Sequence, residues 1–239
     1  AATVHLTRKA KAERWKNIAY LLEAVALKRL TLAEGVDHIH THFSSNSAAV
    51  AMLSRLLGGP SYSVTVHGPD ELYVMEENAL GLKLQHAAFF AVITEYCRGV
   101  VDAHNAGAFT DKLEILRCGL DLRDFEDVTP VPDTKLLVCV GRLCEAKAQT
   151  ALVEALAQVV PRHRDVKLVL IGDGDTRPQV EALIAKHGLE PQVELAGWKS
   201  GAEVQEAVRG ARALVLPSLA EGLPIVLMEA FALGRPVLS

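Results

Sequence analysis

Short runs of apolar and β-branched residues recur along the chain, and longer stretches with the spacing of amphipathic helices separate them. Parallel strands that are covered on both faces have continuous apolar runs of this kind, whereas half-exposed strands alternate polar and apolar residues. The alternation therefore predicts an α/β fold built on parallel sheets. The runs are Ser63–Val66, Phe89–Ile93, Leu136–Val140, Val166–Ile171, Val193–Leu195 and Ala213–Leu216.

Three of the intervening stretches carry clear helix signals. Asn46–Leu57 and Gln149–Val160 have the apolar spacing of amphipathic helices. The segment Arg177–His187 contains Pro178 in its first turn and is followed by Gly188. Proline at a helix start and glycine just past its end are the preferred residues at those positions, so this segment is predicted as a complete helix.

The stretch Asp124–Thr134 interrupts the pattern with two prolines and several acidic residues. Domain boundaries fall in segments of this composition, so we predict two α/β domains, residues 1–126 and 127–239. The first thirty residues have a helical pattern without a preceding strand and glycine-rich turn, and Arg235–Ser239 has the pattern of a strand without its following helix. We therefore expect a fragment cut short at both ends, with both domains incomplete.

Composition excludes several classes of protein. The chain has 25 Lys and Arg against 29 Asp and Glu, a net charge of −4, so we expect no nucleic-acid partner. No apolar run approaches the roughly 20 residues that cross a bilayer. The four cysteines form no Cys-x-x-Cys pair, which fits a reducing cytoplasm.

The first thirty residues nevertheless carry a local net charge of +5. A basic helical segment of this kind favours contact with an anionic membrane, so we expect a cytoplasmic protein that can lie on the inner membrane surface. The basic residues are Arg8, Lys9, Lys11, Arg14, Lys16, Lys28 and Arg29.

The segment Pro217–Pro224 joins a predicted strand to an apolar helix that contains Glu229. The first N–H groups of a helix are unpaired and favour an anion. Glu221 lies before the helix and Glu229 two turns into it. Both carboxylates can therefore accept hydrogen bonds from the hydroxyl groups of a ligand that lies across the helix start. The alternative is that Glu221 caps the helix and Glu229 lies on its solvated face.

Two cations follow the predicted strand Leu136–Val140, namely Arg142 and Lys147. Ligands of open α/β sheets bind outside the carboxyl ends of the strands, where a planar guanidinium and an ammonium can hold a diphosphate. Taken alone, such a pair is more often solvated surface. A third turn contains Gly172 and Gly174, which allow close approach of the backbone to a ligand.

The series GRLCEAK, IGDG and PSLAEGLPIVLMEA resembles the family-four retaining glycosyltransferases of the glycosyl transferases group 1 type. The two glutamates eight positions apart in EGLPIVLMEA are its most specific element. This resemblance implies a GT-B fold, with two Rossmann-like domains facing each other across a cleft. It also implies a nucleotide-diphosphate sugar, linked to UDP or GDP, as substrate, and neither a cofactor nor a metal.

The resemblance also implies the roles of the second-domain residues. Arg142 and Lys147 would hold the donor pyrophosphate, Glu229 the ribose, and Glu221 the transferred sugar as a catalytic residue. The donor would lie beside the backbone of Gly222, Leu223 and Pro224, and near the turn of Gly172 and Gly174.

One residue departs from the family pattern. The family usually has glycine after the motif lysine, whereas this chain has Ala148. A Cβ there costs free energy if the position requires a positive φ.

The first half contains His38, His40 and His42 at alternate positions, so on a strand the three imidazoles share one face. Such a face can bind zinc. No cysteine or carboxylate stands at ligand spacing nearby, and packing or solvation of the imidazoles is the favoured interpretation.

The segment Ser63–Asp70 reads as a strand that ends in His67-Gly68 and resembles the first-domain motif of the same family. The implied role of His67 is contact with the transferred sugar or the acceptor. The alternative is that its imidazole caps the turn toward Asp70. Asp121 and Phe125 resemble the family's connector and are predicted to be structural.

The resemblance thus implies a retaining glycosyltransferase with a glycan or glycolipid acceptor. The segment THFSSNSAAVAMLSRLLGGPSYSVTVHG resembles exopolysaccharide-type members, including those of colanic acid synthesis. Two alternatives remain open at this point: a nucleotide-sugar epimerase of GT-B fold, and a catalytically inactive fragment that binds nucleotide sugars.

Overall fold

The computed structural model describes residues 14–239. The basic residues Arg8, Lys9 and Lys11, on which the predicted membrane contact partly rests, lie outside the described residues. The chain forms two compact units that divide between Cys118 and Gly119. Over residues 14–239, no helix combines the length and apolar character needed to cross a membrane.

The first unit is a four-stranded parallel sheet with helices between its strands. Its strands lie in the order β1-β2-β3-β4. Its elements are α1 (Arg14–Ala33), β1 (His38–His42), α2 (Asn46–Leu56), β2 (Ser61–Val66), α3 (Pro69–Leu72), α4 (Leu80–His86), β3 (Phe89–Val92), α5 (Glu95–His104) and β4 (Leu113–Ile115).

The second unit is a five-stranded parallel sheet in the order β7-β6-β5-β8-β9. Counted from its own first strand, this order is 3-2-1-4-5, which is the doubly wound Rossmann arrangement. In this arrangement the first three strands are added toward one edge of the sheet, and the fourth is added on the other side of the first. Its elements are β5 (Leu136–Val140), α6 (Gln149–Val159), β6 (Lys167–Ile171), α7 (Arg177–His187), β7 (Val193–Gly197), α8 (Gly201–Gly210), β8 (Ala213–Val215), α9 (Ile225–Ala232) and β9 (Val237–Leu238).

The predicted α/β class with parallel sheets is confirmed, and the structure adds one strand that the sequence pattern did not reveal. β4 has only three residues and includes the exposed Glu114, so its apolar run is too short to recognise. The helix Arg177–His187 has the predicted bounds, and Gly188 after it has φ 62°, as expected of a left-handed helix end.

The core of the second unit lies on both faces of its sheet. Neighbouring residues of β5 point to opposite faces. Cys139 packs with Leu168 on one side, and Val138 packs with Leu214 on the other. This double coverage explains why the strands of this unit have continuous apolar sequences.

The division between the units lies eight residues before the predicted boundary at 126/127. Phe125 is buried in the core of the second unit, and Leu120 packs against the same core. The segment that precedes the two prolines is therefore already part of the second unit. The packing of Leu120 and Phe125 against this core is not visible in the composition of the segment.

Two buried charges hold the loops at the carboxyl ends of β1 and β2. The carboxylate of Glu71 accepts hydrogen bonds from the backbone N–H groups of Ser44 and His67. The ammonium of Lys83 donates to the carbonyl oxygens of Ser44 and, at 2.8 Å, Ser45. Lys83 is 2% exposed, and burial lowers its pKa to about 7 against a smaller opposing effect of Glu71. The two charges thus fix both ends of the Ser44 peptide.

A buried arginine fixes the end of the second unit. Arg235 is 1% exposed and donates to the carbonyls of Arg209, Leu233, Gly234 and Thr129, and to the Thr129 hydroxyl. Two of these carbonyls stand at the ends of α8 and α9, where the helix dipole is negative. The guanidinium is thereby satisfied without a carboxylate.

Ala148 stands between the turn Glu145–Lys147 and the start of α6, with φ 52° and ψ 33°. This is the left-handed conformation in which a Cβ costs free energy. The positive φ on which the predicted cost of a Cβ depends is therefore present at this position.

Lys83→Met should make the stability of the first unit less dependent on pH. The folded-state pKa of Lys83, about 7, lies below its ordinary value, so between pH 7 and pH 9 the unfolded chain binds more protons than the folded one, and wild-type stability rises with pH. From pH 7 to pH 9 the free energy of unfolding of wild type should therefore rise by roughly 2 kcal/mol relative to that of the variant.

Chemical denaturation at a series of pH values measures this difference. Lys112→Met is the matched control, because Lys112 also donates to backbone carbonyls but is only half-buried. The Lys112→Met variant gives, at each pH value, the effect of replacing a lysine that is only half-buried. A constant difference between wild type and Lys83→Met would contradict the prediction.

Ala148→Gly should leave the protein equally or more stable, because glycine adopts the left-handed conformation without strain and this offsets the lost methyl contact. The control Ala151→Gly lies on the exposed side of α6 and should cost about 1 kcal/mol. Thermal unfolding of both variants compares them. Equal destabilisation by the two changes would show that Ala148 carries no strain.

Candidate active site

The three turns that were predicted to bind a ligand follow β6, β5 and β8, which are neighbours in the second sheet. Because the strands are parallel, their carboxyl ends lie at one edge. The gap between β5 and β8 is the switch point of the doubly wound order, where ligands of such sheets bind. Lys147 follows β5 and Glu221 follows β8, so the topology places both at this point.

Lys147 and Glu221 form an ion pair, with Lys147 Nζ 2.5 Å from Glu221 Oε1. Their side chains are 26% and 22% exposed. The two loops are also joined through the backbone, since Leu219 N donates to Ala146 O at 2.9 Å. Two residues that lie 74 positions apart in the chain therefore share one half-buried location.

Glu229 lies on α9, the helix that begins directly after Pro224. Its carboxylate is half-buried and forms no hydrogen bond or ion pair with any residue in the range 14–239. Burial raises its pKa above the ordinary value. A desolvated carboxylate without a partner has free capacity for the hydroxyls of a ligand.

The backbone before this helix is also only partly covered. Gly222, Leu223 and Pro224 are half-buried. The structure therefore leaves the segment between the two glutamates in contact with solvent at the start of α9, where helix N–H groups are unpaired.

Arg142 is exposed, and within the described part of the chain its guanidinium has no hydrogen-bond or ion-pair partner. Its backbone is fixed, because Gln149 Nε2 donates to Arg142 O at 3.0 Å. The side chain thus extends from a rigid turn and remains free to bind an anion.

Gly172 and Gly174 have φ values of 131° and 157°, and both lie against the turn after β5. A Cβ on Gly172 would collide with the carbonyl oxygen of Gly141, and one on Gly174 with that of Leu143. Leu143 N also donates to Asp173 O at 3.0 Å. The structure gives these glycines a packing role between two turns, and their contact with a ligand stays a prediction.

In the first unit, His67 follows β2 and its ring contacts two other rings. His67 Nε2 is 2.8 Å from His42 Nδ1, and the ring centroid lies 4.7 Å from that of Phe43. Phe43 has φ 69°, an uncommon conformation for a bulky residue, and this directs its ring toward His67. Burial lowers the pKa of His67; Glu71 opposes this effect and His42 adds to it.

The alternative in which His67 caps the turn toward Asp70 is wrong. The carboxylate at this turn belongs to Glu71, which accepts the backbone N–H of His67 at 2.6 Å, while Asp70 is exposed. Glu71 is the third residue of the short helix α3 and points back to its start. The imidazole itself is left free of the turn.

The histidines of β1 face hydroxyl groups on β2. His38 lies between Ser61 and Ser63, and His40 between Ser63 and Thr65, with distances of 2.7 to 2.9 Å. Both ring nitrogens of these two histidines thus have partners. Within residues 14–239, no group of three or more His, Cys, Asp or Glu side chains is arranged to hold a metal ion.

The sequence pattern did not reveal three buried charged residues that hold backbone groups in place, namely Glu71, Lys83 and Arg235. A carboxylate near a proline-initiated turn is a helix-start signal, so Glu71 was recognisable in principle. Lys83 lies between the buried Leu80 and Leu84 in a helical pattern, which indicates an inward-facing position. Nothing in the local sequence distinguishes Arg235 from an exposed arginine.

Comparison with known proteins adds to this geometry. Residues 122–239 match the family described as glycosyl transferases group 1. An uncharacterised glycosyltransferase of Methanocaldococcus jannaschii, MJ1178, is 26% identical over 95% of this chain and 62% of its own length. WcaL of Escherichia coli, a glycosyltransferase assigned to colanic acid biosynthesis, is 33% identical over 56% of this chain and 35% of its own length.

The chain thus spans less than two thirds of the length of these relatives. Among solved structures, Anabaena HepE in complex with UDP-glucose is similar with a TM-score of 0.76 and 19% identity, covering 90% of this chain and 62% of HepE. This similarity shows that the two units have the Rossmann-like folds of GT-B glycosyltransferases. Residues 122–239, which lie within the second unit, thus resemble the glycosyl transferases group 1 family, and this similarity covers just under half of the chain.

Proposed function

We propose that this chain is part of a retaining glycosyltransferase, and that its second unit binds a UDP- or GDP-linked sugar. The observation that carries the proposal is the Lys147–Glu221 contact at the β5/β8 switch point. Glu221 lies in the loop that leads into α9, and α9 carries the unpartnered Glu229. Cation, carboxylate and helix N-terminus are the groups that a sugar linked to a diphosphate requires.

Each group has a role that its chemistry supports. Arg142 and Lys147 hold the diphosphate. Glu229 accepts hydrogen bonds from the ribose hydroxyls, and Glu221 accepts hydrogen bonds from hydroxyls of the transferred sugar. The backbone of Gly222, Leu223 and Pro224 lies beside the donor.

Transfer breaks the bond between the anomeric carbon and the diphosphate oxygen, and the departing oxygen gains negative charge. Once the diphosphate is bound, Lys147, Arg142 and the start of α9 stabilise that charge, and the loops that carry them are already fixed. The acceptor hydroxyl attacks from the same face, and its proton passes to the leaving phosphate. The proposed reaction requires neither a cofactor nor a metal.

His67 is proposed to contact the transferred sugar or the acceptor. Its lowered pKa leaves the imidazole neutral at pH 7, so it can both donate and accept. Its Nε2 is engaged with His42, whereas Nδ1 has no hydrogen-bond partner among the described residues. That nitrogen is available to a hydroxyl.

The acceptor is proposed to be a growing polysaccharide or a lipid-linked glycan. The name of WcaL, to which this chain is similar, supports a surface polysaccharide. The exposed Leu22, Leu30 and Leu32 of α1, beside Arg29, support contact with the cytoplasmic face of a membrane. The family match favours transfer over the epimerase considered above.

Lys147→Ala should weaken binding of UDP or GDP by roughly 10- to 100-fold, because it removes a charged hydrogen bond to phosphate. Stability should change by less than about 1 kcal/mol, since the ion pair is partly exposed to solvent. Titration calorimetry with both nucleotides and their sugars measures the affinities. Lys186→Ala, an exposed lysine of the same unit, is the control. Unchanged affinity in Lys147→Ala would remove Lys147 from the donor site.

His67→Ala should abolish most sugar transfer and leave nucleotide binding close to wild type, because Lys147 and Glu229 are in the other unit. A transfer assay with a panel of nucleotide sugars, combined with calorimetry, separates the two effects. His86→Ala, which removes a half-buried imidazole of the same unit, is the control. Wild-type transfer by the His67 variant would exclude this residue from the reaction.

A further inference from the structure

We propose that the Lys147–Glu221 ion pair makes the site favour the sugar-bearing donor over the free nucleoside diphosphate that remains after transfer. Glu221 is then a specificity-determining residue as well as a sugar contact. This inference rests on the proposed function, and it concerns the second unit alone.

The structure pairs Lys147 with a carboxylate of the same site. Its ammonium contacts Glu221 Oε1, and the backbone bond between Leu219 and Ala146 holds the two loops in this position. A diphosphate must therefore compete with a carboxylate for the same ammonium. Because both side chains are about three-quarters covered, solvent and salt screen this competition only in part.

The free nucleoside diphosphate cannot replace Lys147 as the hydrogen-bond partner of Glu221. It presents phosphate oxygens, which accept hydrogen bonds and carry negative charge, and it has no donor group in the place of the sugar. When Lys147 turns to the phosphate, the carboxylate of Glu221 loses its partner and stays close to a second anion. Arg142, the other cation of the site, binds the diphosphate in the proposed arrangement and therefore does not replace Lys147 as the partner of Glu221.

The sugar-bearing donor changes this balance. Hydroxyl groups of the sugar donate to the carboxylate of Glu221, which thereby keeps hydrogen-bond partners when Lys147 turns to the phosphate. Loss of the ion pair is compensated in the donor complex and not in the product complex. The pair therefore penalises the product and promotes its release.

Glu229 differs from Glu221 in its pairing with a cation. It is a carboxylate in the same region, but among residues 14–239 it has no cation as partner. Its removal deletes a ribose contact that donor and product share. Glu229→Gln should therefore weaken the binding of both the donor and the nucleoside diphosphate. Glu221→Gln should instead change the two affinities differently.

The test is the affinity of UDP, GDP, UDP-glucose and GDP-glucose for wild type and Glu221→Gln, measured by titration calorimetry. The nucleoside diphosphate that wild type binds should bind the variant about tenfold more tightly, because Lys147 is released from a charged hydrogen bond. The nucleotide sugar should gain nothing or lose affinity. Glu154→Gln, an exposed glutamate on α6, controls for the change in net charge.

A double-variant cycle makes the test specific to the pair. If Glu221 acts through Lys147, the gain in nucleoside diphosphate affinity should be much smaller when Glu221→Gln is made in the Lys147→Ala background, where only the repulsion between the carboxylate and the diphosphate is relieved. Tightening of equal size in both backgrounds would overturn the inference, as would a Glu221→Gln affinity equal to that of Glu154→Gln. Wild type that binds neither UDP nor GDP would instead overturn the proposed function.

Discussion

The parallel pairing of β5 with β6 on one side and β8 on the other is the constraint on which the proposed donor site depends. Parallel strands end at the same edge of a sheet, so three loops that are far apart in the chain emerge side by side. The doubly wound order places its reversal between β5 and β8, and the gap between their loops is the location of Lys147 and Glu221. The apolar core on both faces keeps the strands in this register.

Both units fix their loops with polar groups in place of apolar packing. In the first unit the carboxylate of Glu71 and the ammonium of Lys83 satisfy backbone groups at two strand ends. In the second, Arg235 satisfies carbonyls at two helix ends. Loops carry many unpaired backbone groups, and a buried charge can satisfy several of them at once. These hydrogen bonds offset part of the cost of burying the charge, and the lowered pKa of Lys83 reflects the part that remains.

Much of the fold was predictable because local chemistry and tertiary packing agree. The strands of the second unit are buried on both faces, and their sequences are therefore apolar throughout. Gly188 marks the end of α7, and Ala148 departs from glycine at a position that does require a positive φ. The strand β4 was missed because three edge residues carry too little pattern, and the unit boundary because it depends on where Phe125 is buried.

The sequence by itself determined the α/β class, the helix that Gly188 follows and the polar character of three strand-end turns. These follow from side-chain type and from spacing within a few residues. Only the tertiary structure decided that Lys147 contacts Glu221, that Glu229 has no partner among the described residues, and that His67 is held by His42 and Glu71. Such contacts depend on strand order and on the burial of groups distant in the chain, and neither is encoded in any local stretch of residues.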